Sequence, residues 1–308
     1  MNVQQLISRA RNFGGKRFTS TVPLFSDPFS MKNMYKIRET TEKFSRPYFL
    51  SFDGFGTLYT PKVDVAKQYY EVARSCGIDT TLQEITLKFP LVFKELLHQF
   101  PNYGKHSEMI TTSDDWWREV IVRVLGIDHY SDSAQSAKVC DELLTHFTGD
   151  AYTVYPDVIS TLTQLKEAGI KLVVSSNSDP RVTTILDNLG LSQYFDAVYT
   201  SYEIGYSKPH KAFFDNVLSS MNCKPDPFLL QNIWHIGDSH SEDFLGPIKA
   251  GWNGILIDRS KQVGDVRSPE NDACFHQNGS EPSEIVKIAN NRVIITSLSQ
   301  ISSLFSLS

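Results

Sequence analysis

Four short polar clusters hold the side chains of this 308-residue chain that are best suited to chemistry. The first, Asp53-Gly54-Phe55-Gly56-Thr57, sets a carboxylate beside two glycines, which allow close backbone approach to a ligand. The second is Ser175-Ser176-Asn177, the third is Lys208-Pro209, and the fourth is Gly237-Asp238 followed by Asp243. Three carboxylates gathered with only one ammonium are expensive unless they bind something, because the unpaired like charges raise each other's pKa, and a divalent cation relieves this. Asp53, Asp238 and Asp243, with a backbone oxygen and with water, would form the hard oxygen set that Mg²⁺ takes. Lys208 would screen an anionic nucleophile from an anionic substrate. Ser176 and backbone N–H groups near Asn177 would hold phosphate oxygens.

Each cluster needs an element to position it, and apolar runs precede them. Tyr48–Phe52 leads to Asp53, Lys171–Ser175 to Ser176, Ala197–Tyr199 to the loop carrying Lys208, and Ile233–Ile236 to Asp238. Gly254–Ile257 and Val293–Ile295 are further runs of the same kind. Such runs suit buried strands of a parallel sheet. Amphipathic stretches between them, such as Val158–Ala168 with Gly169 as its stop, read as helices. The alternation predicts an α/β, Rossmann-like, doubly wound sheet, in which ligands bind beyond the carboxyl ends of the strands.

Between Pro61 and Val154 the pattern is helical throughout. Val65, Tyr69, Val72 and Cys76 repeat at helical spacing, with Asp64 as N-cap and Gly77 as stop. Pro90 is expected to open a second helix running to Phe100. Trp116–Leu125 and Ala134–Phe147 read as two more. A helical insert after the first strand of such a core reads as a cap over the site. The expected organisation is therefore an N-terminal segment over 1–46, a core from 47–60 plus 155–308, and a helical cap over 61–154. Within the core, the polar stretch 259–291 is expected to be an elaborated loop.

In order and spacing the four clusters resemble the motifs of the haloacid-dehalogenase superfamily: Asp-x-x-Gly-Thr-Leu at 53–58, Ser176-Asn177, Lys208-Pro209, and Gly-Asp-x-x-x-x-Asp at 237–243. The likeness spans residues 47 to 305, and the insert falls where that family places a C1-type cap. The run Phe100-Pro101-Asn102-Tyr103-Gly104, with Trp116-Trp117 after it, resembles the subgroup called haloacid-dehalogenase-like hydrolase domain-containing protein three. The resemblance implies a hydrolase in which Asp53 attacks the substrate to form an aspartyl intermediate, so that one hard displacement becomes two easier ones. Lys208 would be the second catalytic residue. Thr57, Ser176, Asn177 and Lys208 would surround the phosphate, and Asp53, Phe55, Asp238 and Asp243 would hold Mg²⁺.

One position departs from the pattern. Phosphatases of this superfamily carry a second Asp two residues after the nucleophile, which protonates the leaving alcohol. General acid catalysis of this kind contributes about 10²–10⁴ in rate. Here the position is Phe55, which moves no proton. The loss matters least for groups that leave unprotonated: acyl phosphates, halide or a stabilised carbanion. Three readings stay open: a Mg²⁺-dependent hydrolase of a small phosphorylated or activated substrate, a catalytically weak protein that keeps the site for binding, and a 2-haloacid dehalogenase-like activity. The phosphonoacetaldehyde hydrolases of the superfamily use a cap lysine, but nothing singles out Lys88, Lys94 or Lys105 as an amine nucleophile.

The remaining features set limits. Net charge is −5, which gives no reason to expect a nucleic-acid partner, and the expected partner is a small-molecule substrate. No run of about 18 apolar residues suggests a membrane span. Cys76, Cys140, Cys223 and Cys274 form no Cys-x-x-Cys pair, so neither zinc nor a redox motif is indicated. Residues 1–26 contain Arg9, Arg11, Lys16 and Arg17, several hydroxyls and no acid. Val3, Leu6, Ile7, Ala10 and Phe13 share a helical face. This composition is that of a mitochondrial presequence. Trp234 and His235 read as structural, Trp116-Trp117 as cap packing, and His240 as a loop residue within reach of substrate.

Overall fold

The computed structural model describes residues 43–127, 134–224, 226–259, 285–289 and 291–307. The proposed presequence and most of the 259–291 stretch lie outside them. Among the described residues, seven strands form one sheet in the order β5-β4-β1-β6-β7-β9-β8. They are β1 Phe49–Phe52, β4 Lys171–Ser176, β5 Ala197–Thr200, β6 Ile233–Gly237, β7 Asn253–Ile257, β8 Val286–Ala289 and β9 Arg292–Ile295. All neighbours pair in parallel except β8, which is antiparallel to β9. Every residue of β1, β6 and β7 is buried, because crossover helices cover both faces of such a sheet. The expected parallel α/β sheet is present. β8, however, falls inside the stretch expected to be loop. It is an antiparallel edge strand in a polar surrounding, and periodicity is weakest for such strands.

The chain runs from β1 outward to β4 and β5, then returns to the other side of β1 for β6. The order therefore reverses between β1 and β6, which is where open α/β sheets bind ligands. Asp53 follows β1 and Asp238 follows β6, so both carboxylates leave the sheet at that point.

After β1, an antiparallel pair formed by β2 (Tyr59–Pro61) and β3 (Tyr152–Val154) makes a stem that the sequence pattern missed. Three residues per strand are too few for a period-2 signal. Four helices lie between its arms: α1 Val65–Ser75, α2 Leu82–Gln99, α3 Ser113–Leu125 and α4 Ala134–His146. Asp64 caps α1 as expected, accepting from the N–H groups of Ala66 and Lys67. Pro90 does not open α2. It lies in the middle, and the helix starts at a capping box in which Thr81 and Glu84 satisfy each other's backbone N–H. The proline removes one helical hydrogen bond, yet Ile85, Phe89, Phe93 and Leu96 are all buried around it. Burial of side chains this size stabilises by roughly 1.5–3 kcal/mol each, which offsets the defect. The same helical core holds Trp116, whose ring meets Phe93 edge-on and whose Nε1 donates to the Phe100 carbonyl.

The helices α5 (Val158–Glu167), α6 (Arg181–Asn188) and α7 (Lys211–Ser220) belong to the sheet layer system. Trp234 packs on Phe44 and Phe305, so it is structural as expected.

Candidate active site

Asp53 is fixed by backbone first: its N–H donates to the Ile236 carbonyl at 2.8 Å, extending the β1–β6 ladder one residue past the strand. The chain then turns tightly, with the Leu58 N–H returning to the Gly54 carbonyl and Gly56 at φ 83°, a conformation glycine adopts without strain. Asp238 directly follows Gly237, the last residue of β6. Gly237 before it is required by space, since a Cβ there would lie 2.3 Å from the Asp243 carboxyl carbon. Asp243 sits in a π-helical turn, His240–Leu245, where the Ser239 N–H donates to its Oδ2 at 2.9 Å. Such turns concentrate at functional sites.

The four predicted charged groups converge. One carboxylate oxygen from each of Asp53, Asp238 and Asp243 lies within 4.8 Å of the others. Lys208 Nζ donates to Asp53 Oδ1 at 2.8 Å, to Asp243 Oδ1 at 2.6 Å and to the Ser175 carbonyl at 2.7 Å. Its side chain is 1% exposed. Asn177 holds the lysine's backbone at both ends of its amide, Oδ1 accepting from the Lys208 N–H and Nδ2 donating to the Lys208 carbonyl. The Asn177 side chain is thus a positioning group, and any contact it makes with an anion falls to its backbone N–H. Ser176 is buried at the end of β4, and Thr57 is buried with its hydroxyl unpaired.

The charges are unevenly compensated. Burial alone would push the Lys208 ammonium toward neutrality, but Asp243 and Asp53 outweigh it and hold the lysine charged. Burial likewise works against ionised Asp243, but Lys208 and His235 pull its carboxyl well below the usual range. Asp53 ends above its ordinary value, because burial and the neighbouring Asp243 exceed the pull of Lys208. Asp238 is raised further, by burial and then by the Asp53 and Asp243 charges. One ammonium for three carboxylates leaves this cluster short of positive charge. The shortfall, together with oxygen-only donors, fits a hard divalent cation.

Sequence reasoning assigned His235 to structure alone. It is fully buried mid-strand, with Nε2 3.1 Å from Asp243 Oδ1 and Nδ1 2.9 Å from Ser51 Oγ, which in turn lies 2.8 Å from Ser175 Oγ. Burial and the Lys208 charge lower its pKa, so it is a neutral imidazole that orients Asp243. The signal was available: Ser51, Ser175 and His235 are polar residues inside apolar strands, and the β1–β6 register sets Ser51 against His235.

A second group escaped notice. Asp179 and Arg181 form a buried pair, with Nη2–Oδ2 at 2.7 Å and Nε–Oδ1 at 3.0 Å. Trp117 Nε1 donates to the same Asp179 Oδ2 at 2.7 Å, and the Arg181 guanidinium lies over the Trp117 ring at 4.6 Å. Trp117 therefore links α3 to the loop after β4 as well as packing among the helices. A second link is the turn after α2. There Tyr103 donates its hydroxyl to the Asn177 carbonyl at 3.0 Å, and the Asn102 amide donates to the Ser201 carbonyl at 2.7 Å.

Between the four helices and that loop lies a chamber of about 60 Å³. Phe55, Tyr59, Tyr69, Tyr103, Trp117 and Tyr152 supply aromatic walls, and Ser176, Ser178, Asp179 and Arg181 the polar ones. Burial raises the phenol pKa of all four tyrosines, which are neutral. Two of these wall residues are near the charged cluster in the chain: Phe55 is two residues after Asp53, and Ser176 follows Ser175, whose carbonyl accepts from Lys208. Lys88, Lys94 and Lys105 are exposed and line no part of it. His240 is half-buried beside Phe244.

Comparison with known proteins agrees with this geometry. A profile described as "haloacid dehalogenase-like hydrolase" matches residues 50–251. The chain is 36% identical over 232 residues to uncharacterized protein YMR130W of Saccharomyces cerevisiae, covering 71% of this chain and 74% of the relative. It is 30% identical over 217 residues to haloacid dehalogenase-like hydrolase domain-containing protein 3 of Mus musculus, covering 70% of this chain and 83% of the relative. Among solved structures, the putative HAD-hydrolase YfnB of Bacillus subtilis, bound to magnesium, superposes with a TM-score of 0.54 at 17% identity. It covers 83% of this chain and 97% of its own. The L-2-haloacid dehalogenase of Xanthobacter autotrophicus gives the same TM-score and identity over 84% and 98%. At that identity both show the fold. No helix among the described residues is long and apolar enough to cross a membrane.

Proposed function

The chain belongs to the haloacid dehalogenase-like hydrolase family, and on that premise we propose that it is a Mg²⁺-dependent hydrolase using Asp53 as nucleophile on a small phosphorylated or otherwise activated substrate. One observation carries the reading: the oxygens of Asp53, Asp238 and Asp243 approach within 4.8 Å while Lys208 bonds two of the three carboxylates. Asp53 and Asp238, with the Phe55 carbonyl, would hold the ion. Asp243, whose two oxygens already accept from Lys208, His235 and Ser239, would complete the set from its remaining lone pairs. Bound Mg²⁺ supplies the missing positive charge, which keeps the carboxylates ionised and offsets that of a phosphate.

The protein's own residues do the rest. Lys208 fixes the Asp53 carboxylate and screens it from an approaching anion. Ser176, the unpaired Thr57 hydroxyl and the Asn177 N–H are the available donors for phosphate oxygens. His235 holds Asp243 in place. Phe55, packed edge-on against Tyr59 and Tyr152, excludes water from the side where an acid would otherwise act. Phe55 also supports a second reading, a catalytically weak protein that retains the site for binding. The dehalogenase-like reading has less support, because it needs a cation for the haloacid carboxylate. Arg181, the cation in the chamber wall, is already bonded to Asp179.

The test is turnover of acetyl phosphate, p-nitrophenyl phosphate and 2-chloropropionate by the full chain, with Mg²⁺ and with EDTA, alongside Asp53→Asn. Mg²⁺-dependent release of phosphate that disappears in Asp53→Asn is the expected result. Mg²⁺ binding without turnover of any substrate would favour the second reading. Chloride release indifferent to EDTA would favour the third.

A further inference from the structure

We infer that the substrate is an acyl phosphate with a short, uncharged, apolar acyl chain, seated in the aromatic chamber with its carbonyl oxygen on the Ser178 hydroxyl. The inference rests on the hydrolase reading above and narrows it. Four independent features lead there.

The first is position. Phe55, two residues after Asp53, Ser176, next to the Ser175 carbonyl that holds Lys208, and Tyr59 and Tyr103, which feel the Asp53 charge, all line the chamber, so a molecule with phosphorus at Asp53 would have its other end there. The second is charge. The chamber's ionised wall groups, Asp179 and Arg181, neutralise each other at 2.7 Å. A second anionic group on the substrate would be buried without a free cation, which costs several kcal/mol unless it is paired. The third is size. A water occupies roughly 10–15 Å³ of such volume, and an engineered cavity of roughly 150 Å³ takes benzene. A chamber of about 60 Å³ therefore admits a chain of about three or four carbons and excludes a phenyl ring. The fourth is an orphaned group. Ser178 lines the chamber, and its hydroxyl is buried with no hydrogen bond to the protein. A buried hydroxyl of this kind asks for an acceptor, and the carbonyl of an acyl group seated in the chamber would supply one.

The chemistry agrees with the missing acid. An Asp53 oxygen attacks phosphorus and forms an O–P bond as the bond between phosphorus and the acyl oxygen breaks. The electron pair leaves on a carboxylate, which needs no proton at neutral pH. Water then attacks phosphorus, the Asp53 O–P bond breaks, and the carboxylate is regenerated. Both hydrogens of the water remain on the released phosphate. Overall, acyl phosphate dianion and water give carboxylate anion and monobasic phosphate, balanced in atoms and charge, with no step asked of residue 55.

The experiment compares kcat/KM of the Mg²⁺-loaded full chain on acetyl, propionyl, butyryl, hexanoyl, benzoyl and succinyl phosphate. From acetyl to butyryl the ratio should rise about fourfold per methylene, the fold-change given by about 0.8 kcal/mol per buried CH₂. It should fall for hexanoyl and benzoyl, and succinyl should lie at least about 100-fold below butyryl. Ser178→Ala should lose about 3- to 10-fold on butyryl phosphate, the range of one net hydrogen bond, and Ile121→Phe should move the optimum toward acetyl. If acetyl phosphate is turned over but the series is flat, or succinyl equals butyryl, the inference is wrong and the hydrolase reading stands. If no member is turned over while p-nitrophenyl phosphate is, the inference is wrong and the hydrolase reading stands; if that ester is inert as well, both fail.

Discussion

Replacing Asp238 with Asn isolates the electrostatic argument, because it deletes one charge and almost no volume. In the protein without metal, Asp238 faces two carboxylates that share a single ammonium. At the 4.8 Å limit of their separation, one pair of unit charges interacts by about 3.5 kcal/mol at an effective dielectric of 20. Two repulsions against one attraction leave about one such interaction unfavourable. The raised pKa of Asp238 means the group escapes part of that by taking up a proton, so the gain on substitution is smaller, about 1–3 kcal/mol. At about 2 °C per kcal/mol for a chain of this size, Asp238→Asn should melt about 2–6 °C above wild type in EDTA. With Mg²⁺ at about tenfold its Kd, wild type should gain about 1.4 kcal/mol, and the variant should gain almost nothing. The two melting curves should therefore approach or cross as Mg²⁺ is added. Scanning calorimetry, or reversible urea unfolding at pH 7 with EDTA and with Mg²⁺, measures both. A variant less stable than wild type in EDTA, or equally stabilised by Mg²⁺, would refute the claim that these carboxylates form an under-compensated cation site.

Other expectations follow from single contacts. Lys208→Met leaves Asp53 and Asp243 buried without their shared cation and should cost about 3–5 kcal/mol in urea unfolding, with loss of turnover. Phe55→Asp places an acid where the family's phosphatases have one. It should raise kcat/KM on simple alkyl phosphates by about 10²–10⁴ and leave acetyl phosphate nearly unchanged, and an equal change on both would contradict the leaving-group argument. Burial works against ionised Asp179, but Arg181 and Trp117 outweigh it and lower its pKa. Its contribution to stability is therefore complete above the unfolded carboxyl value near 4 and lost as pH falls through the lower folded value. Asp179→Asn should accordingly be less stable than wild type at pH 6, and the gap should close on acidification below about pH 4. We further propose that residues 1–26 direct import into mitochondria. A fluorescent fusion should co-localise with a mitochondrial marker and become diffuse when they are removed, and identical images would reject the proposal.

Strand ends were legible because buried parallel strands are written as apolar runs, and the residue after each run must meet the ligand edge of the sheet. Asp53, Ser176 and Asp238 could be picked out in that way, Lys208 from the loop after its run, and Asp243 by its spacing from Asp238. The start of α2 was misplaced because Pro90 is a strong local signal. The Thr81–Glu84 capping box, legible in sequence as Thr-x-x-Glu but passed over, and the buried face of Phe89 and Phe93, known only from packing, override it. His235, Asp179 and Arg181 were missed for a related reason. A polar residue inside a strand, or two charges two residues apart, reads as ordinary until its partners are known.

The chain's own order of residues determined the fold class, the elements that carry the charged groups and the absence of an acid at position 55, because each depends on local pattern alone. Tertiary structure decided which of those groups share a charge, and that one ammonium serves two carboxylates while a third goes without. It also decided that Arg181 is already neutralised and that an aromatic chamber lies beside the nucleophile. Compensation and enclosure are properties of distances across the sheet and between layers, and residues 155 positions apart, such as Asp53 and Lys208, carry no mark in sequence of the 2.8 Å that separates them.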